Sequence, residues 1–465
     1  MFFMSQILAM VLVAGVASPV VGEPVIGPKF QISSIGVPVP SLTAVAFNGT
    51  IFLVVWPDGR NAERTGTDVY AARVRASDGV VLDPEGILLC NDPGDQRDVS
   101  VASNGDDFLV AWGGAGVIDA TRVDGSTGLQ TGRVRIDSGD GVDRRVWQPA
   151  VIAEGETYLI KYDWGNSDGF NGTLVSRIGS SDSSVLLPFG VTLCAEGCPV
   201  TLSSNGSSLR ATIDDTYGGF RMLALSDNGQ VLHSEHPFPL DGGTPSLTSS
   251  ATAAVPAGNY LTFANGTRFL SDPDGAILAT SSSPGNTFKR NPSASFDGAS
   301  FRLTFDVPRG TCGMESSLSG ESTGGEFEIL VGSHGSSHAS TVDGMTLVAA
   351  VDETRGVVGV FLTHGGDQIP TSCDPTPSPE PTPESSAAPA ASPTPDTKSG
   401  VVRDPTLLIA SSAAAAQTSD LALLKQPRNR GGGCSVGEVG AAPMALLPLL
   451  PGILFVLRRL RRHLE

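Results

Sequence analysis

The 465-residue sequence has few lysines, few aromatic residues and little charge. Lysine occurs only five times, whereas glycine occurs 56 times and proline 33 times. Glycine and proline are poor helix formers, so this composition argues against a helical protein. The formal net charge of −18 argues against a nucleic-acid partner, because phosphates require a basic surface. The apolar fraction of 40% is nevertheless sufficient for a hydrophobic core.

The first 22 residues predict a secretory signal peptide. Residues 1–22 form a short apolar stretch that ends in small residues, which places the cut before Glu23. The basic start typical of such peptides is missing, so an uncleaved membrane anchor is the alternative interpretation. Either interpretation predicts that the following residues are exported.

The C-terminal segment, residues 431–465, has three parts in a fixed order. A Gly433-Cys434 dipeptide comes first, and an apolar stretch over 441–457 follows. A basic cluster then ends the chain: Arg458, Arg459, Arg461 and Arg462. Basic residues beyond an apolar span stay in the cytoplasm, so we expect everything before the span to lie across the membrane.

This order resembles the MYXO-CTERM sorting signal of myxobacterial surface proteins, whose motif is carried here by GCSVG and the arginine cluster. The resemblance implies processing by a myxosortase near Gly433-Cys434 and anchoring at the bacterial cell surface, through the outer membrane. Prolines within the apolar stretch depart from the family pattern. A plain single-pass anchor is the alternative, and it has the same topology.

A linker separates the sorting signal from the rest of the chain. Within the Pro/Ala/Ser-rich linker, 374–430, residues 374–400 are especially rich in proline and favour extended polyproline structure. Residues 401–430 are compatible with a short helix or with further linker. Residues 24–373 are therefore the segment whose fold and function need an explanation.

One short strand pattern recurs throughout residues 24–373. The stretch ASNGDDFLVAW at 102–112 contains an Asn-Gly turn, an aromatic residue three positions later and a short apolar run. Similar units follow turn glycines that lie 40 to 56 residues apart. These glycines are Gly49, Gly105, Gly155, Gly206, Gly258, Gly298 and Gly344. Short strands repeated at this period predict an all-β fold, a β-propeller with seven four-stranded blades.

The two ends of the repeat region predict how the ring closes. The last unit has a strand at 357–362 but no full strand after it, whereas the first unit begins with FQIS at 30–33. We therefore expect residues 30–33 to supply the outer strand of blade seven, and truncation before Val37 to open the ring. An open β-solenoid or two sandwiches are the alternatives. Repeats resembling residues 52–89 occur in myxobacterial-type surface proteins, and this resemblance implies a secreted scaffold with no defined activity.

The cysteines fit an oxidising compartment. Cys194 and Cys198 are close enough in sequence to close a small loop, and Cys312 with Cys373 is a second candidate pair. Cys90 is left over. Spacing alone does not determine these pairs.

A set of aspartates recurs with the blades, eight or nine residues after the turn glycine. The members are Asp58, Asp163, Asp214, Asp306 and Asp352. In a four-stranded blade they lie where the second strand leads into the third, and all such loops share one face. One interpretation is that each carboxylate bonds to its own turn. The other is an acidic ring that binds Ca²⁺ or a basic ligand.

No catalytic pattern stands out. GESTG at 320–324 matches a serine-hydrolase motif, but no helix follows it. His334 and His338 are four residues apart without a helix to align them for zinc. Trp164 lies among polar residues; packing beneath its own loop and stacking on a sugar ring are both open.

Two functions remain as hypotheses. The first is a non-catalytic, surface-anchored propeller that binds a glycan, matrix component or partner protein through its long insertions, at 58–68, 163–171 and 307–325. The second is a surface hydrolase of the glycosidase type, which would use two carboxylates from the aspartate ring.

Overall fold

The computed structural model describes most of the repeat region. The described ranges are residues 24–33, 42–139, 143–169, 171–179, 184–186, 190–194, 198–215, 219–226, 229–234, 238–239, 250–264, 267–282, 289–341, 343–352 and 354–365. The predicted signal peptide, linker and sorting signal, with Gly433, Cys434 and the terminal arginines, lie outside them. Over these ranges, no helix is long and apolar enough to span a membrane.

The fold is all-β, and thirty strands are defined, of which the first two precede the first complete blade. They are β1 (Pro24–Ile26) and β2 (Phe30–Ser33). Blade one has β3 (Ala44–Phe47), β4 (Ile51–Asp58), β5 (Asp68–Arg75) and β6 (Ile87–Cys90). Blade two has β7 (Gln96–Ser103), β8 (Asp107–Gly114), β9 (Val117–Asp124) and β10 (Gln130–Asp137). Blade three has β11 (Arg145–Glu154), β12 (Thr157–Gly165), β13 (Asn171–Gly179) and β14 (Val191–Cys194).

The later blades repeat the same antiparallel order. Blade four has β15 (Val200–Ser204), β16 (Leu209–Asp215), β17 (Gly219–Leu225) and β18 (Val231–Ser234), with the short β19 (Phe238–Pro239) beside β17. Blade five has β20 (Ser250–Ala254), β21 (Tyr260–Ala264), β22 (Thr267–Ser271) and β23 (Ile277–Ser282). Blade six has β24 (Arg290–Phe296), β25 (Phe301–Val307), β26 (Gly310–Ser316) and β27 (Phe327–Val331). Blade seven has β28 (Ser333–Ser340), β29 (Thr346–Asp352) and β30 (Gly356–His364).

The predicted seven-bladed propeller is confirmed, and so is its closure by the N-terminal segment. The first strands of neighbouring blades contact one another in an unbroken cycle, and β28 contacts β3. Residues 30–33 pair with β30, as predicted from FQIS. Strand β1, which the sequence pattern did not reveal, pairs with the last residues of β30. Two N-terminal strands therefore complete blade seven.

The uninterrupted apolar runs follow from burial of both faces of each blade. In β4, Phe52 and Val54 pack in the cluster shared with blade seven, whereas Leu53 and Val55 pack in the cluster shared with blade two. All four side chains are fully buried. Successive residues of a strand point to opposite faces, so a strand covered on both sides needs apolar residues throughout. The run FLVVW is therefore the local signature of a blade inside a ring.

The turn glycines are required by backbone conformation. Gly49 has a φ of 102° and Gly105 a φ of 126°, in the region that side chains disfavour. A Cβ atom at either position would meet nothing within 4 Å. Conformation alone, without crowding, therefore explains why these two turns carry glycine.

The cysteines agree in part with the sequence predictions. Cys194 and Cys198 form a disulfide, which confirms that candidate pair. Cys312 is also disulfide-bonded. Its predicted partner, Cys373, lies outside the described residues. Cys90 is a buried thiol that is not part of a disulfide.

Candidate functional site

The propeller has two ends with different polar chemistry. We call the end that carries the turns between first and second strands the turn end. The opposite end carries the loops between second and third strands, and we call it the loop end. The predicted aspartates lie at the loop end, because each one is at or near the end of the second strand of its blade. This placement agrees with the sequence prediction.

Asp58 and Asp352 stabilise their own loops. The Asp58 carboxylate accepts hydrogen bonds from the indole of Trp56 at 2.9 Å and from the backbone N–H of Arg60 at 2.8 Å. The Asp352 carboxylate accepts the backbone N–H of Thr354 at 2.9 Å and that of Arg355 at 3.1 Å. Both residues thus form the turn contacts that short acidic side chains favour.

Asp352 also contributes to ring closure. Its second carboxylate oxygen contacts the ammonium group of Lys29, which lies between β1 and β2. Because Lys29 belongs to the N-terminal segment that pairs with β30, this ion pair ties the closing strands to blade seven.

Asp306 joins blade six to blade seven. It is 5% exposed, and its two oxygens accept four hydrogen bonds. The donors are Asn291 Nδ2 at 2.9 Å, the Gly335 backbone N–H at 2.8 Å, Ser336 Oγ at 2.7 Å and Thr311 Oγ1 at 3.2 Å. Every strong acceptor position of the carboxylate is therefore occupied by protein, which leaves little capacity for an external ligand.

Asp163 is less enclosed than these three. Its carboxylate accepts Thr173 Oγ1 at 2.7 Å, and Lys161 Nζ lies 3.4 Å from the other oxygen. The backbone of Asp214 ends β16, but its side chain lies outside the described part of the molecule. The ligand-binding role of these aspartates stays a prediction, and Asp163 is the member with the most solvent access among those whose side chains are described.

Within the described ranges, one group of three side chains has metal-ligating atoms within 4.8 Å of one another: Asp297, Glu315 and His364. None of the loop-end aspartates belongs to it. The guanidinium of Arg302 lies 2.8 Å from Asp297, 3.3 Å from Glu315 and 3.1 Å from His364 Nε2. A bound cation would have to displace this positive group, so the arrangement fits an internal ion network better than a metal site.

The network of Asp297, Arg302, Glu315 and His364 lies where, in blade one, the turn between the first two strands contacts the next blade. At the turn end of blade one, Asn48 donates its side-chain N–H to the backbone of Asp106 in blade two at 2.8 Å. At blade six the equivalent residue is Asp297, whose side chain has no N–H to donate. Arg302 instead donates to the Gly344 carbonyl of blade seven at 3.2 Å. The acidic residue and the arginine together thus replace one asparagine.

Three clefts lie at the loop end of blade three. Their volumes are about 590, 420 and 370 Å³, and we call them the outer, lateral and inner clefts. The outer cleft is lined by Asp143, Arg145, Trp147, Gly165, Asn166, Ser167, Gly169 and Asn171. It shares Trp147 with the inner cleft, and the inner cleft shares Trp164 with the lateral one. The three clefts are therefore continuous around two tryptophans.

Strand alternation determines which tryptophan faces the outer cleft. Val146 and Trp164 are paired across β11 and β12 and pack in the core shared with blade two. Trp147 is on the other side of β11, paired with Asp163, and is 36% exposed. This exposed indole presents a flat apolar surface to the cleft.

The first two strands of blade three are longer than the first strand of blade four. Strand β11 has ten residues and β12 has nine, whereas β15 of blade four has five. The described lining of the outer cleft, which includes Arg145 and Trp147 of β11, comes from blade three alone. In the inner cleft, Trp147 lies beside Cys198 and Val200.

Trp164 packs against the core of blades two and three, and its ring is only partly exposed. It is half-buried against the core of blades two and three, and the guanidinium carbon of Arg144 lies 5.8 Å from the ring centroid. Arg144 itself is held by two hydrogen bonds to Asp137, at 2.9 and 2.6 Å. Of the two alternatives for Trp164, the structure favours packing, and Trp147 is the aromatic residue that sequence reasoning missed.

Comparisons with known proteins add no functional argument. No protein-family model and no curated protein matches the sequence. The chain is similar to the β-propeller domain of Cps50 (Swd1) from Myceliophteria thermophila, with 10% identity, a TM-score of 0.45, and coverage of 72% of this chain and 99% of that one. For the β-propeller domain of the Trilobed protease from Pyrococcus furiosus, the values are 8%, 0.43, 70% and 94%. For the sialidase of Trypanosoma rangeli, they are 10%, 0.40, 73% and 58%.

Proposed function

We propose that this protein is an exported, surface-anchored β-propeller that binds a polysaccharide through the outer cleft of blade three and does not cleave it. The observation that carries the proposal is Trp147, an exposed indole on the wall of the outer cleft. Binding sites for small ligands combine such an apolar surface with a few fixed polar groups.

The polar groups of the outer cleft suit a hydroxylated ligand. Asn166, Ser167 and Asn171 line it with amide and hydroxyl groups that both donate and accept hydrogen bonds. The carboxylate of Asp143 accepts the backbone N–H of Ser167 at 2.8 Å, which holds the loop in position. A sugar ring presents an apolar face and a rim of hydroxyls, and this cleft offers complementary groups for both.

The features at the chain ends support export and anchoring. The sorting motif around Cys434, the Arg cluster and the Pro-rich linker would place a tethered propeller outside the cell. The disulfide between Cys194 and Cys198 suits an oxidising compartment. A ligand at the cell surface, such as a matrix polysaccharide, would then be within reach of the propeller.

The test is a binding assay with the full chain in mild detergent and polysaccharides extracted from bacterial cell surfaces. We expect retention of the protein without release of sugar fragments, and binding that is roughly tenfold weaker or more in Trp147→Ala, a loss of about 1.4 kcal/mol. Leu129→Ala is the matched control, because it removes an exposed apolar side chain from the turn end of blade two. Equal binding by both variants would move the site away from Trp147.

One observation favours a hydrolase as the second candidate. Burial raises the pKa of Asp98, whose carboxylate accepts the backbone N–H of Gln148 beside the inner cleft and lies near Lys161 and Asp163. Glycosidases use two neighbouring carboxyl groups in different environments, one of them with a raised pKa. Fragment release that is lost in both Asp98→Asn and Asp163→Asn would establish catalysis and overturn the non-catalytic proposal.

A further inference from the structure

The outer cleft contains a guanidinium group, that of Arg145, for which the described part of the chain supplies no partner. Among the described residues, the guanidinium of Arg145 has neither an ion-pair nor a hydrogen-bond partner. Its neighbour in sequence, Arg144, is paired with Asp137 at 2.6 Å. The chain has 48 acidic and 30 basic residues, so carboxylates outnumber the basic groups that they could pair with. The lack of a described partner for Arg145 is therefore unexpected.

The pairing of the strands explains why Arg145 is left alone. Arg145 and Trp147 are two residues apart on β11 and therefore point to the same side of the sheet. Trp147 lies opposite Asp163 on β12, but Arg145 lies opposite Gly165, which has no side chain. On the third strand, the residue paired with Gly165 is Asn171, an amide without charge. No carboxylate is therefore available across the sheet at this level.

We propose that the outer cleft selects acidic saccharides, in which a sugar ring lies on Trp147 and its carboxylate binds the guanidinium of Arg145. This inference rests on the proposed function, since it assumes that the cleft is the polysaccharide site. The planar guanidinium donates two parallel hydrogen bonds to a carboxylate, which gives orientation as well as charge recognition. The spacing of one residue between Arg145 and Trp147 places both groups on one wall of the cleft.

The remaining charges define the conditions of binding. Asp143 also lines the cleft, and its carboxylate accepts the backbone N–H of Ser167 at 2.8 Å. The net charge of −18 repels polyanions at a distance. At about 0.15 M salt the screening length is about 8 Å, so the distant acidic groups are screened while a direct contact with Arg145 persists.

The test compares one ligand shape with and without charge. The full chain in mild detergent is titrated at physiological salt with oligogalacturonate and with the same oligosaccharide as its methyl ester. Tryptophan fluorescence is the readout, because Trp56 and Trp112 are at most 2% exposed whereas Trp147 faces the cleft. We expect the acid to bind roughly tenfold or more tightly than the ester, a preference that Arg145→Gln removes.

Arg75→Gln is the matched control, since it removes the same charge from an exposed pair with Asp78 in blade one. It should leave the preference unchanged. Equal binding of acid and ester by the unaltered protein would overturn this inference but leave the polysaccharide proposal intact. A preference that persists in Arg145→Gln would likewise overturn it. Failure to bind these oligosaccharides and every extracted surface polysaccharide would refute the proposed function itself.

Discussion

Polar side chains have protein partners at the junction of blades six and seven. In the outer cleft of blade three, an arginine lacks a partner among the described residues. At the junction, Asp306 is buried and accepts four hydrogen bonds, and Asp297 is matched by Arg302. In the outer cleft, Arg145 has no partner among the described residues and Trp147 is exposed. Buried polar groups are costly unless they are paired, so the first arrangement supports the fold and the second is available for a ligand.

The largest effect that would test this comparison is loss of the closing strands. Removing residues 24–33 takes away β1 and β2 with the buried side chain of Ile32, and leaves the outer edge of β30 unpaired. We expect a loss of unfolding free energy on the order of 5 kcal/mol, from several hydrogen bonds and buried apolar surface. Thermal unfolding followed by circular dichroism measures it.

The control for this truncation is removal of residues 1–23 alone, which leaves both closing strands in the chain. That variant should unfold like the full-length chain. A shortened chain without residues 24–33 that unfolds at the same temperature as this control would show that the ring does not depend on its N-terminal closure.

A smaller effect compares two aspartates of the same repeat position. Asp306→Ala leaves buried donors from Gly335, Ser336 and Thr311 without their acceptor, which we expect to cost roughly 3 kcal/mol. Asp163→Ala removes a carboxylate whose side chain is 18% exposed, and we expect roughly 1 kcal/mol. Chemical denaturation measures both. Equal losses at the two sites would contradict the division between the junction and blade three.

The last effect is a pH dependence with opposite signs at two histidines of the junction, and it is small near neutral pH. Burial, with a contribution from nearby Arg302, lowers the pKa of His338 from 6.5 to about 3. Its Nδ1 lies 2.8 Å from Thr304 Oγ1. The unfolded chain binds this proton more readily, so stability is complete above pH 6.5 and falls by about 1.4 kcal/mol per pH unit below it.

His364 acts in the other direction. The hydrogen bond with Asp297 raises the pKa of His364, while burial and Arg302 oppose the rise and Glu315 supports it. Its contribution to stability is therefore complete below 6.5 and is lost as the pH rises through its folded value. Melting temperatures between pH 4.5 and 8.5 should peak near neutrality. His338→Gln should flatten the acid side of this profile and His364→Gln the alkaline side; unchanged profiles would contradict the assignment.

Much of the fold was predictable because its causes are local. The turn glycines, such as Gly49 and Gly105, and the apolar run that follows each one reveal the blade repeat directly. The placement of Asp58 and Asp306 near the ends of second strands also followed from spacing, and Cys194–Cys198 was one of the candidate disulfides. The second closing strand, β1, was missed because PVI is too short and too ordinary to be distinguished from a loop.

The candidate site was predicted only in part. The insertion at 163–171 was identified as a binding surface, and it does border the outer cleft. Trp164 attracted attention because of its polar neighbours, yet it packs against the core. Arg145 and Trp147 carried one usable signal, an alternating polar and aromatic pair around Val146, but a strand has two sides and the pattern does not say which side is covered.

By itself, the sequence determined the number of blades, the antiparallel order within each blade and the need for ring closure. Those properties depend on period, turn chemistry and the burial of both faces of every strand, all of which are visible in the order of residues. Only the tertiary structure decided which polar groups are neutralised. Asp306 finds its donors in blade seven, and Arg145 meets Gly165 across the sheet. These partners come from separate strands or blades, so their meeting depends on register and strand length rather than on any local pattern.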